Sequence, residues 1–214
     1  LLYGARQVGK TYVMQQLGRN AFKNTVYVNF EADQSIGRFF DADIHADAVI
    51  QLLEKYFHTR IVPGESLILF DEIQMCERAL TSLKYFAEEA PEYHVIAAGS
   101  LLGVALKREQ YSFPVGKVKM LTLYPMDFEE YLWAGGKDLL ADTIREHFDS
   151  NIALPETLHQ EALMEYYHYC IVGGMPAAVM AYFNASATLK QEEIRQMLLD
   201  SYIADMTKYA KAGE

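Results

Sequence analysis

Eight consecutive residues, Gly4-Ala5-Arg6-Gln7-Val8-Gly9-Lys10-Thr11, hold the groups best suited to chemistry on a polyphosphate. Gly4 and Gly9 permit a tight loop whose backbone amides point inward and cradle an anion. Lys10 carries a charge on a stem long enough to reach β- and γ-phosphates, and Thr11 offers a hydroxyl to Mg²⁺. A helix that opens at Lys10 adds the positive end of its dipole beneath the same anion. An ordinary strand–turn–helix corner would use the two glycines but has no need of Lys and Thr after them. The segment therefore reads as a nucleotide-binding loop, with Thr11 as one metal ligand.

Such a loop requires an acid at the end of a neighbouring strand. Ser66-Leu67-Ile68-Leu69-Phe70 is apolar on both faces and runs straight into Asp71-Glu72. Asp71 is expected to hold Mg²⁺ through water, and Glu72 to orient or deprotonate the water that attacks the γ-phosphate. Ser100 follows the next strand and is the third catalytic candidate beside Lys10 and Glu72, as a hydrogen-bond partner of that water or of the γ-phosphate. A Gly-Ser turn explains Gly99-Ser100 without chemistry. Ligands of open parallel sheets gather beyond the carboxyl ends of the strands, where Asp71 and Ser100 both fall.

The elements that position these groups follow from periodicity and punctuation. Lys10 opens a short helix expected to end near Gly18, and Thr25 to Phe30 reads as a strand. Val49, Leu52, Leu53 and Tyr56 mark a helix over Asp47–Thr59, and Leu80, Leu83, Ala87 and Ala90 mark another, limited by Pro91. Tyr93 to Ala98 and Val118 to Leu123 complete the strands. This alternation predicts an α/β fold, a three-layer domain around a parallel sheet. Asp127 and Glu130 then form a capping box, with Met126 and Tyr131 as its staple, opening a helical tail. Leu158, Ala162, Tyr166 and Tyr169 form one stripe of that tail, and Ile194, Leu198, Tyr202 and Met206 form another. Gly173-Gly174-Met175-Pro176 separates them as a turn. The boundary is placed near residue 125, giving a core over 1–125 and, over 126–214, a mainly helical lid with the start of a C-terminal region. Leu1-Leu2-Tyr3 leaves no room for a full strand before the loop, so the sequence reads as clipped at its start.

The 214 residues are 51% apolar and 22% charged, which excludes a charge-driven coil. With 19 basic and 29 acidic residues the net charge is -10, a field that repels nucleic acid and anionic lipid. No apolar run approaches the roughly 20 residues that cross a bilayer, and no leader is evident, so a cytoplasmic, non-membrane protein is expected. Cys76 and Cys170 form no CxxC pair. His168 and Cys170 lie two apart, on different helical faces, and do not make a metal site. Tyr166, Tyr167 and Tyr169 read as packing residues, and Trp133 as an anchor of the lid. Lys208 and Lys211 are too sparse for a nucleic-acid patch.

Taken with the loop, the acid pair and Ser100, the ordered segments GARQVGKT, VNFE, LILFDEIQ, AAGSLLG, LYPMDFEEYL and VGGMPAAV, which span residues 4 to 179, resemble the AAA-like P-loop ATPases. The likeness is to the bacterial and archaeal branch in which the ATPase domain precedes a C-terminal restriction-endonuclease-like domain. It implies the phosphate and Mg²⁺ roles for Lys10 and Thr11, the second acidic motif for Asp71 and Glu72, the first sensor for Ser100, and a small helical or winged-helix lid. Relatives carry Gly-Arg where this sequence has Gly116-Lys117, and lysine lacks the planar fork of arginine. The expected reaction is Mg-dependent hydrolysis of ATP to ADP and phosphate, coupled to a change acting on a partner. No Asn-Lys-x-Asp segment supplies guanine recognition, which favours ATP over GTP. A cationic finger could come from Arg78, Arg108 or Lys117, chosen by charge alone. The alternatives are an ATP-gated protein or DNA interaction module with little turnover, and a P-loop phosphotransferase. A homo-oligomer or a protein partner is the expected assembly, and DNA would be reached through the C-terminal domain.

Overall fold

Alternation along three strands decides which helices cover which face of the sheet. The computed structural model describes residues 1–99 and 116–184, and beyond them 193, 196, 197, 199, 200 and 203. In it β2 (Asn24–Asn29) lies parallel to β3 (Ser66–Asp71), with Val26 opposite Ile68 and Asn29 opposite Asp71. β4 (His94–Gly99) pairs with β3, and β1 (Leu2–Tyr3) lies between β4 and β5 (Leu121–Thr122). The order is β2-β3-β4-β1-β5, and every pairing is parallel.

Side chains at successive strand positions point to opposite faces. Val26, Val28, Phe30, Ile68, Phe70 and Ala97 meet α2 (Gln34–Ala42), α3 (Ala46–Phe57) and α4 (Glu77–Glu89) in one core. Leu67, Leu69 and Ala98 meet Met14 of α1 (Lys10–Ala21) in the other. Helices on both faces make the three-layer α/β fold. They also explain why every residue of β3 is buried, as in a strand covered from both sides. Phe30, Phe40 and Phe70 form a mutual aromatic cluster, their ring centroids 5.6 to 5.8 Å apart, behind the end of β3.

Several elements differ from the sequence reading. Helix α1 does not end near Gly18 but runs on to Ala21. Gly18 is buried against β2, where an added Cβ would sit 2.5 Å from Thr25 Oγ1, so it serves a close helix–strand approach rather than a C-cap. Gly18→Ala is therefore expected to destabilise the chain by a net of about 1–2 kcal/mol, overpacking outweighing the gain in helix propensity. A lower urea midpoint, restored when Thr25→Ala is added, would verify the contact; an unchanged midpoint would refute it. Helix α2 was not expected: Ile36 and Phe40 alone are buried on it, and Gly37 breaks up its pattern. Its N-cap is Asp33, whose carboxylate accepts the Ser35 N–H at 3.0 Å. The last strand of this layer is confined to Leu121–Thr122, inside the expected Val118–Leu123.

The described residues form two units, Leu1–Ala5 with Gly9–Leu123, and Arg6–Val8 with the chain from Tyr124 onward. The second contains α5 (Phe128–Ala134), α6 (Asp138–Ser150), α7 (Glu156–Val172) and α8 (Pro176–Asn184). The capping box forms in full: Asp127 Oδ1 accepts the Glu130 N–H at 2.9 Å, and Glu130 Oε2 accepts the Asp127 N–H at 3.0 Å. Met126 and Tyr131 share one cluster with Leu132, Ala178 and Val179. Helices α6 and α8 are both absent from the sequence reading, which puts Pro176 in a turn. Gly174 pairs with Met126 through backbone, and a Cβ there would meet Met126 O at 2.0 Å, so the turn before α8 requires glycine. Trp133 is 45% exposed. The stripe Ile194, Leu198, Tyr202 and Met206 lies outside the described residues. Among the described residues no helix is long and apolar enough to cross a membrane.

Candidate active site

The loop's shape comes from backbone that few residues tolerate. Gly4 (φ 152°) and Gly9 (φ 97°) lie at positive φ, and Gln7 (φ 62°) is left-handed between them. A Cβ at Gly4 would sit 2.1 Å from Leu123 O, so only glycine fits there. Helix α1 starts immediately after Gly9, with no side-chain N-cap and no acid in its first turn. Its leading amides are thus not occupied by the helix's own carboxylates, which suits an anion.

Lys10 is buried, and its ammonium donates to Gly4 O at 2.9 Å and Ala5 O at 2.7 Å, which holds the charge within the loop. Next along α1, the Thr11 hydroxyl donates to Asp71 Oδ2 at 2.6 Å across 60 residues of sequence. The strand-end acid and the loop threonine are therefore brought together. Asp71 is only 2% exposed, and burying a carboxylate is costly unless donors surround it. Two more donors do: Tyr27 OH reaches Oδ2 at 2.8 Å, and the Glu72 N–H reaches Oδ1 at 3.0 Å.

Glu72 occupies the left-handed region (φ 50°), a conformation costing a non-glycine residue about 1–3 kcal/mol. Its N–H bond to Asp71 and the acceptance of the Met75 N–H at 2.9 Å hold it there, at the head of a short 3₁₀ turn, Ile73–Met75. Gln74 Nε2 donates to Glu72 Oε2 at 2.5 Å and fixes the carboxylate.

Asn29, at the end of β2, accepts the Glu31 and Ala32 N–H groups on Oδ1 at 3.0 and 2.9 Å. Its Nδ2 donates to Tyr27 OH at 3.3 Å. Burial pushes the Tyr27 phenol up to about 12; the Asn29 contact opposes that shift and the Asp71 carboxylate adds to it. The hydroxyl is accordingly protonated, and a donor, at neutral pH.

Tyr27, Asn29 and Gln74 are the site residues that sequence reasoning missed. In sequence Tyr27 is one residue of the strand read over Thr25 to Phe30, yet Asn29 lies opposite Asp71, which places Tyr27 on the same face two positions back. Ser100 and Arg108 lie outside the described residues. Arg78 Nε donates to Phe40 O at 2.5 Å, tying α4 to the last turn of α2. Lys117 Nζ lies 3.3 Å from Glu88.

A glycine loop opening a helix, an acid pair closing the adjacent buried strand and a parallel β2-β3-β4-β1-β5 sheet agree with comparison to known families, where the family described as AAA domain matches residues 1–132. The chain belongs to the AAA domain family. Membership makes it a nucleotide-binding chain of the ATPase type. No curated protein matches its sequence. Among solved structures, the Aeropyrum pernix ORC1 protein in complex with DNA shows a TM-score of 0.39 at 17% identity, covering 68% of this chain and 43% of that one. PCH-2 of C. elegans gives 0.38 at 10% identity, with coverages of 73% and 41%. The Aeropyrum pernix ORC2 protein in ADPNP-ADP complexes gives 0.38 at 14% identity, with coverages of 77% and 61%. This AAA chain thus spans less than two thirds of each of those chains.

Proposed function

We propose that the chain binds Mg·ATP through the loop Gly4-Ala5-Arg6-Gln7-Val8-Gly9-Lys10-Thr11 and hydrolyses it to ADP and phosphate. The observation that carries this reading is the 2.6 Å hydrogen bond joining Thr11 of the loop to Asp71, with Glu72 fixed beside it. A hydroxyl and a buried carboxylate are hard oxygen donors of the kind that suit Mg²⁺, which usually takes one or two protein groups and completes its shell with water and phosphate. Among the described residues no cluster of three or more His, Cys, Asp or Glu offers an all-protein cage. Thr11 and Asp71 would hold the ion, which supplies neutralisation of phosphate charge when bound.

The chain's own groups do the rest. Loop amides and the α1 terminus bind the polyphosphate, and Lys10 turns its ammonium to the β- and γ-oxygens. Glu72 accepts a hydrogen bond from the attacking water and takes its proton as the water oxygen bonds to Pγ and the bond from Pγ to the β,γ-bridging oxygen breaks, that oxygen leaving on ADP. Ser100 is assigned to the same γ-phosphate end as a sensor. Hydrolysis then drives a conformational change in a cytoplasmic assembly, a homo-oligomer or a protein complex. A following restriction-endonuclease-like domain would be the route to DNA, since the net charge of -10 gives this chain no attraction of its own.

The test is orthophosphate released by purified protein. ATP with Mg²⁺ is expected to yield ADP and phosphate, and EDTA to abolish release. Label appearing on an acceptor molecule instead would make the chain a phosphotransferase, and tight ATP binding without turnover would make it a nucleotide-gated switch.

A further inference from the structure

Asp71 has two carboxylate oxygens and one broad terminal torsion, so hydrogen-bond donors rather than intrinsic rotamer preference set the plane of the group. Thr11 and Tyr27 both donate to Oδ2, at 2.6 and 2.8 Å, and the Glu72 N–H donates to Oδ1 at 3.0 Å. Thr11 belongs to the nucleotide loop and Glu72 to the strained turn after β3, both of which the reaction engages. Tyr27 belongs to neither. It stands on β2 within the sheet, its ring packed on the cluster of Met14, Leu67, Leu69 and Ala98.

The direction of its proton is also determined. Two backbone N–H groups occupy Asn29 Oδ1, which turns the Asn29 amide nitrogen toward the phenol oxygen. The phenol accepts there and donates its single proton to Asp71. A Phe would fill the same space against Met14 and Leu69, so the hydroxyl's role is the carboxylate.

We propose that Tyr27 is a positioning residue for the metal: its hydroxyl fixes the plane of Asp71 in the orientation Mg²⁺ requires, independently of the nucleotide loop. The inference rests on the Mg·ATP reading above. Tyr27 acts through Asp71 and touches no reacting atom.

Calorimetric ATP titrations of the full chain and of Tyr27→Phe, in EDTA and across a Mg²⁺ series, test it without reference to turnover. In EDTA the two ATP affinities are expected to agree, while the melting temperature of the variant falls, because buried Asp71 has lost one of its three donors. The Mg²⁺ concentration that half-saturates the gain in ATP affinity is expected to rise about tenfold in the variant, the worth of one hydrogen bond to a charged group. A merely structural Tyr27 would lower the EDTA affinity along with the melting temperature and leave the Mg²⁺ midpoint in place, and an unmoved midpoint overturns the inference. Equal Mg²⁺ midpoints with both proteins intact overturn it as well while leaving Mg·ATP binding standing. A parent chain whose ATP affinity ignores Mg²⁺ removes the metal site, and both readings with it.

Discussion

Replacing Lys10 with alanine is expected to weaken ATP binding about 100-fold and to leave AMP binding unchanged. The magnitude follows from loss of two charge-assisted contacts to phosphate oxygens, each worth about 1.5–3 kcal/mol, partly repaid by water. At about 1.4 kcal/mol per factor of ten, a net loss near 3 kcal/mol gives that ratio. The contrast with AMP isolates the claim, because AMP has no β- or γ-phosphate for the ammonium to reach. Lys10 also ties the Gly4 and Ala5 carbonyls together, so general collapse of the loop would weaken both nucleotides alike. Calorimetry with the two ligands distinguishes these outcomes, and unchanged ATP affinity would remove Lys10 from the site.

Glu72→Gln is expected to slow phosphate release by about 10²–10⁴, the usual contribution of a positioned general base. Nucleotide affinity should stay as it was. The substitution is close to isosteric, and the oxygen of the new amide can still accept from Gln74 Nε2, which lies 2.5 Å from Glu72 Oε2. The backbone bond to Asp71 is likewise independent of the side chain. What changes is basicity: an amide cannot take the proton of the attacking water. Single-turnover phosphate release beside ATP titration gives the split. If binding and rate fell together, the role of Glu72 would be to hold the turn after β3, and the water would need another base.

The groups proposed to bind phosphate are legible because they are contiguous: the glycines, lysine and threonine of the loop carry their geometry in residue type alone. Asp71 was legible for a related reason, since an apolar run filling both faces of β3 ends on it. Tyr27 was not, because its partner lies 44 residues away and becomes visible only through the register that sets Asn29 opposite Asp71. Gly18 misled in the opposite direction. As punctuation it ends a helix, yet its contact with Thr25 lets α1 continue past it. Helix α2 escaped notice because its inward face offers only Ile36 and Phe40 as fully buried anchors, its start being set by Asp33 rather than by periodicity. The strands β2, β3 and β4 match their expected bounds to within one residue at each end, whereas β5 is shorter than expected: hydrogen bonds from Leu121 N–H to Leu1 O and from Leu123 N–H to Tyr3 O flank a ladder of two residues.

A crystal structure of the full chain with Mg²⁺ and a non-hydrolysable ATP analogue tests the account most directly. The triphosphate is expected inside the loop Gly4–Thr11, with Lys10 on its β- and γ-oxygens and the ion between the Thr11 hydroxyl and the Asp71 carboxylate. An analogue bound elsewhere, with Thr11 and Asp71 still joined to each other and no metal beside them, would contradict it.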